Sequence, residues 1–224
     1  MTATTESAAI TTTAERVWRV AGIVGMALGM LSLIAATVIQ WFVQPSDPAG
    51  TPIDITGENP GLWLLVGLLA VLGPLAWVAG IVSTTMLVRT KGWTLTTIGG
   101  YLTAAGLVGG VGHLAIFFGL IADAAGAGLD GDTGRAILQA DDASILSNVL
   151  LYGFLVGFSL GPILLTIGLR MARLVPVWVP VAAIVMVVAN FVGGIPAGIV
   201  QLVAVVATFG PMVLLLARRR GVSA

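Results

Sequence analysis

His113, Asn190 and Gln201 place the chain's one imidazole and two of its carboxamides within long apolar stretches. An imidazole can pass a proton or hold a metal, and a carboxamide both donates and accepts hydrogen bonds. A metal site at His113 would need further ligands. The chain has no cysteine and no second histidine, and its carboxylates fall in the loops, so neither a metal nor a catalytic role is assigned. No cofactor is expected. An unpaired polar group in hydrocarbon costs several kcal/mol. The three groups therefore either make hydrogen bonds between helices or line a pocket for a small or amphiphilic ligand, with His113, Asn190 and Gln201 as the binding set.

Other polar patterns carry less. Asp130-Gly-Asp132-Thr-Gly134 resembles the start of a calcium loop, but Gly134 stands where a third ligand is needed and Arg135 where the invariant glycine belongs. Asp141 and Asp142 precede a long apolar run and are expected to complement a helix N-terminus. The one lysine, Lys91, lies between apolar stretches and cannot hold a buried Schiff base. No Asp, Glu, Lys or Arg lies deep in any apolar run, which argues against proton exchangers, ion pumps and voltage sensors. No nucleophile and base pair is legible either, so the chain is read as leaning away from an enzyme.

These groups sit in an unusual background. Of 224 residues, 58% are hydrophobic and 9% charged. Soluble domains spend about a quarter of their residues on charge, so this chain cannot cover a surface in water. Ten basic residues balance ten acidic ones, leaving no excess for nucleic acid. The partner implied is the lipid bilayer. A crossing needs roughly 20 apolar residues, and six runs qualify: 17–43, 61–88, 92–121, 144–169, 175–193 and 196–217. The expected fold is an all-α, polytopic bundle of six transmembrane helices. A polar head, 1–16, precedes it, a basic tail, 218–224, follows, and loops 44–60 and 122–143 join the spans. The first run is too long for a cleavable signal core and is read as retained. Prolines 45, 48, 52 and 60 favour an extended or turn-rich first loop. A short helix is expected at 134–139 in the second.

Orientation follows from the basic residues. Arg16, Arg19, Arg89, Lys91, Arg170, Arg173 and Arg218 to Arg220 fall on one side of an even-numbered topology, and only Arg135 on the other. The positive side is cytoplasmic, which puts both termini inside and the chain in the plasma or inner membrane as a multi-pass protein. Trp18, Trp41, Trp63, Trp93 and Trp178 sit at span ends, as amphipathic indoles prefer; Trp77 lies deep in the second span. On this topology His113 is about 12 Å, and Asn190 and Gln201 about 6 to 9 Å, from the outer ends of their spans.

Helix contacts are also legible. Gly153, Gly157 and Gly161 recur every four residues, and Gly99, Gly106 and Gly110, with Thr103, form a matching face, so both stripes are expected to pack closely against helices of this chain or of a second copy. Gly-Pro pairs at Pro74, Pro162 and Pro211 mark kinks in the even-numbered spans.

The stretch Gly168-Leu-Arg170-Met-Ala-Arg173-Leu-Val-Pro176-Val-Trp178, in which an arginine-bearing span end is followed by Pro and Trp opening the next, resembles a group of bacterial six-helix integral membrane proteins. It covers about a twentieth of the chain. The resemblance implies a six-span protein and no particular activity. The expected function is a non-enzymatic interaction or scaffold subunit packed through its glycine faces, as a homo-oligomer or with another membrane subunit. The alternative is a small permease or lipid or small-molecule binding protein with an outward-facing polar pocket.

Overall fold

The computed structural model describes residues 2–43, 51–129 and 131–218. Eight helices and no strands occur among them: α1 (Thr2–Phe42), α2 (Pro52–Glu58), α3 (Pro60–Thr85), α4 (Trp93–Gly126), α5 (Gly131–Asp142), α6 (Ile145–Met171), α7 (Trp178–Val192) and α8 (Gly194–Arg218). Asp47, Asp130, Pro45, Pro48, Arg219 and Arg220 lie outside the described residues.

Five helices (α1 from Glu15, α3, α4, α6 and α8) are long and apolar enough to cross a membrane, as suits a multi-pass membrane protein. The fifth expected span, 175–193, contracts to α7 with 15 residues. At 1.5 Å per residue that is about 22 Å, short of the roughly 30 Å hydrocarbon core. The missing length is spent on a turn at 172–177, where Arg173 takes a positive φ of 58° and the Leu174 amide reaches back to the Leu169 carbonyl. Helix α1 begins at Thr2, so the polar head extends the first helix.

Both loops contain more helix than their sequences suggest. Prolines do not keep the first loop extended: Pro52 and Pro60 open α2 and α3, where the missing N–H costs nothing and the fixed φ suits a first turn. In the second loop the helix runs over Gly131–Asp142, wider than 134–139. Asp141 and Asp142 therefore close α5; α6 opens on Ser144, whose hydroxyl accepts from the Ser147 N–H. Asn148 seals this junction by donating to the Asp142 carbonyl at 2.8 Å and the Ser144 carbonyl at 3.0 Å.

The long helices and α7 form a closed ring in which α1 packs on α3, α3 on α4, α4 on α6, α6 on α7, α7 on α8, and α8 back on α1. Glycine sets the closest seam. Along α4 and α6, Gly99 meets the backbone of Gly161 and Leu165, Gly106 that of Gly157, and Gly161 lies against Thr103. Gly110 accommodates the Phe154 ring, while a Cβ on Gly153 would meet nothing within 4 Å. The stripes thus approach each other inside one chain. At one end of this seam Gly92 turns α3 into α4 with φ of 89°, and at the opposite end of the ring Gly193, φ 74°, turns α7 into α8; a side chain would be strained at either.

The densest packing surrounds Trp77, which is 1% exposed. Its indole N–H donates to the Met26 sulfur at 2.9 Å, and its ring stands edge-on to Phe209 and Phe158, with centroids 4.7 and 5.7 Å away. Burial of so large a ring, with its one donor satisfied, accounts for a tryptophan far from any span end.

Candidate ligand-binding site

The ring encloses a cavity of about 340 Å³ lined from all six of its helices. Leu33, Leu107, Leu114, Phe154 and Phe158 make its wall largely apolar, and its polar groups are Thr37, Gln40, Ser159, Asn190 and Gln201. No charged residue lines it among the described residues. Trp77 and Phe158 belong both to this wall and to the packed aromatic cluster with Phe209, so the cavity has a floor toward the end of the bundle that holds the α3–α4 and α6–α7 turns. At the other end Gln40, Phe117 and Phe118 separate it from a second chamber of about 260 Å³ beneath α2, bounded by Pro52, Ile55 and Trp63.

Helix α2 is fixed over that chamber by identifiable contacts. Ile53 is buried with Ile121 and Ala124, and its side chain lies against Gly134 of α5, where a Cβ would collide with it. Trp63 donates from its indole to the Phe118 carbonyl at 3.2 Å and stacks obliquely on the Phe118 ring. The Asp54 carboxylate accepts from the Thr51 N–H at 2.6 Å and from the Thr51 hydroxyl at 2.9 Å, reaching back as the third residue of a capping box does. Those two donors, backbone first, hold the Asp54 pKa below its ordinary value, with Arg135 adding a smaller attraction.

Asn190 and Gln201 meet. The Gln201 Nε2 donates to the Asn190 Oδ1 at 2.8 Å across the α7–α8 turn. Glycines at 193 and 194 reverse the chain tightly enough to bring two residues eleven apart onto facing helices. One hydrogen bond uses half the capacity of neither amide: the Asn190 NH₂ and the Gln201 carbonyl remain as a donor and an acceptor side by side at the cavity wall. Pro74 adds to this surface. Having no N–H, it deprives the Ala70 carbonyl of its usual helical donor, and both residues line the cavity. The other two expected kink sites, Pro162 and Pro211, likewise lie within continuous helices, α6 and α8.

His113 is not part of this group. Its Nδ1 lies 3.2 Å from the Ser147 hydroxyl, which donates to Asp141 Oδ2 at 3.3 Å. The face His113 shares with Gly106 and Gly110 is turned toward α6, and the imidazole meets the first turn of that helix away from the cavity. With the Ser147 proton committed to Asp141, Nδ1 is the donor to serine. This order, carboxylate to hydroxyl to imidazole, differs from a nucleophilic triad, in which the carboxylate addresses the imidazole and the imidazole the hydroxyl. Its geometry ties α4, α5 and α6 together.

Sequence reasoning grouped the two amides with His113 and missed most of what surrounds them. Gln40, Thr37 and Ser159 lie on helix faces whose inward direction has no periodic signal, because lipid-facing and core-facing positions are equally apolar. Trp77 was the one visible sign, as the tryptophan out of place in the interfacial pattern. No group of three or more His, Cys, Asp or Glu able to hold a metal occurs among the described residues. No family model matches the chain, and neither a curated protein nor a solved structure matches it.

Proposed function

We propose that the protein is a small-molecule binding protein or permease of the cell membrane, with six crossings, both termini on the cytoplasmic side, and its cavity on the outer side. The observation that carries this reading is the cavity lined from all six ring helices, with the Asn190 and Gln201 amides on its wall. The Arg-rich ends of the helices support the orientation, since they coincide with the floored end of the cavity. Helix α7 is the sixth crossing, made by a short helix where the bilayer thins or flanking residues reach outward. The ligand class follows from the lining. An uncharged wall disfavours ions, and aromatic surface with one adjacent donor and acceptor suits a neutral molecule with a hydroxyl or amide head and an apolar body.

The experiment is thermal unfolding in detergent with 1-monooleoylglycerol and, separately, with oleate. Stabilisation by the neutral compound alone, abolished in a Ser159→Phe variant that fills the cavity, supports the reading. Equal stabilisation of both proteins, or none of either, rules it out.

An interaction role is the second reading, and one observation favours it. Between α3 and α4 runs an outer groove of about 520 Å³ in which Gly119 and Gly126 leave open space, so a partner helix or a second copy has somewhere to lie once the α4–α6 stripes are occupied by each other. Cross-linking from a cysteine placed at Ala122 tests it; no cross-linked species in native membranes counts against a partner there.

A further inference from the structure

We infer that the protein carries a seat for one anionic phospholipid on the outside of its ring, separate from the internal cavity and resting only on the chain being embedded in a membrane. The seat is a groove of about 720 Å³ along α8, walled by Ala27 and Met30 of α1 on one side and by Pro176 and Trp178 on the other. Its floor includes Gly210, where a Cβ would have only the Val206 methyl near it, at 3.9 Å. The lining is apolar along its length except at one end, which is Arg218.

Length and charge together identify the occupant. From Val206 to Arg218 is twelve residues, about 18 Å of helix. Half of a roughly 30 Å hydrocarbon core is about 15 Å, so the groove runs from the headgroup layer to the middle of the bilayer and no further. A single leaflet's acyl chain has that reach. Arg218 stands at the headgroup end, where a guanidinium takes a phosphate bidentately, and Trp178, half exposed, lies at the same end, where an indole favours the interface. Arg219 and Arg220 continue the basic run in the sequence. A membrane helix from a partner protein would use the groove's width but leave the arginine unmatched.

The test is native mass spectrometry of the purified protein from mixed micelles containing equal phosphatidylglycerol and phosphatidylcholine. The wild type is expected to retain one phosphatidylglycerol at least tenfold over phosphatidylcholine. Arg218→Gln should reduce that preference severalfold, and Gly210→Leu, which fills the floor without meeting backbone, should abolish retention of either lipid. Thermal midpoints of the lipid-stripped variants within a few degrees of the wild type establish that both fold. Undiminished retention in Gly210→Leu, or unchanged headgroup preference in Arg218→Gln, overturns the assignment; a variant that does not fold is replaced by Gly210→Val or Arg218→Ala, with the same two outcomes read. Loss of the internal cavity's ligand in Ser159→Phe leaves this result untouched, which separates the two sites.

Discussion

Gly106 and Gly157 meet backbone to backbone: a Cβ placed on Gly157 would stand 2.6 Å from the Gly106 Cα. Neither backbone can move without opening the α4–α6 seam, because Gly99 and Gly161 hold the same separation farther along. In lipid no hydrophobic drive compensates for lost contact between helices, so proximity itself is the source of stability. Gly157→Ala should therefore cost about 1 to 3 kcal/mol. Gly153→Ala, one turn away with nothing facing its Cβ, should cost nothing measurable. Thermal midpoints of the two variants in one detergent check this, and equal midpoints would show that the seam is not as drawn.

Thr208 is fully buried, and its hydroxyl oxygen has no hydrogen-bond partner among the described residues. A buried hydroxyl without a partner carries a desolvation penalty of about 1 to 3 kcal/mol. Valine has nearly the same shape and no such penalty. Thr208→Val should raise the unfolding midpoint or leave it unchanged, whereas Thr166→Val should lower it, since Thr166 donates to the Pro162 carbonyl at 2.7 Å. Measured in parallel, a loss of stability in the Thr208 variant would mean that its hydroxyl is satisfied after all.

The contrast between these threonines shows where sequence reading stops. The long apolar runs fix helix and approximate length, because backbone in hydrocarbon has no other way to satisfy itself. Glycine spacing marked the seam faces, and Asn190 and Gln201 stood out as polar groups within apolar runs. Inward direction was another matter. When every side of a helix is apolar, the hydrophobic period vanishes, and nothing distinguishes Gln40 facing a cavity from Gln40 facing a headgroup. His113 lies on the α4 face of Gly106 and Gly110, but which helix that face meets depends on the ring order of α3, α4 and α6, a tertiary fact. Helix α2 was hidden by its prolines, which read as breakers until they are placed at the first turn, where they initiate.

Helix α2 also gives a prediction about pH. The Asp54 carboxylate has a folded pKa below the ordinary 3.8, chiefly because the Thr51 N–H and hydroxyl donate to its charged form. A lowered pKa means that the unfolded form binds protons more readily. The latch is thus fully present above about the ordinary value and is lost as pH falls through the lower folded value. Hydrogen exchange at the Thr51 amide should accelerate across that acid window and remain slow above it. In Asp54→Asn the amide should lack this pH dependence, apart from the intrinsic chemistry of exchange. Identical profiles in both proteins would disconnect the carboxylate from the position of α2.

The Asn190 and Gln201 pair makes the last prediction, because removing one partner and removing both have opposite consequences. Gln201→Leu leaves the Asn190 oxygen without its donor, and Asn190→Leu leaves the Gln201 NH₂ without its acceptor. Each single change should cost about 0.5 to 2 kcal/mol. The double change to leucine removes the unmatched group as well as the bond, so it should recover most of the loss. Ligand binding should follow a different rule. If the donor and acceptor left over by the pair are what hold a neutral head group, the double variant is stable yet no longer tells 1-monooleoylglycerol from an alkane of equal length. A double-mutant cycle on the unfolding midpoint, run with and without the ligand, separates the two effects: recovery of stability without recovery of discrimination assigns the amides to binding, and recovery of both would reduce them to a hydrogen bond between helices.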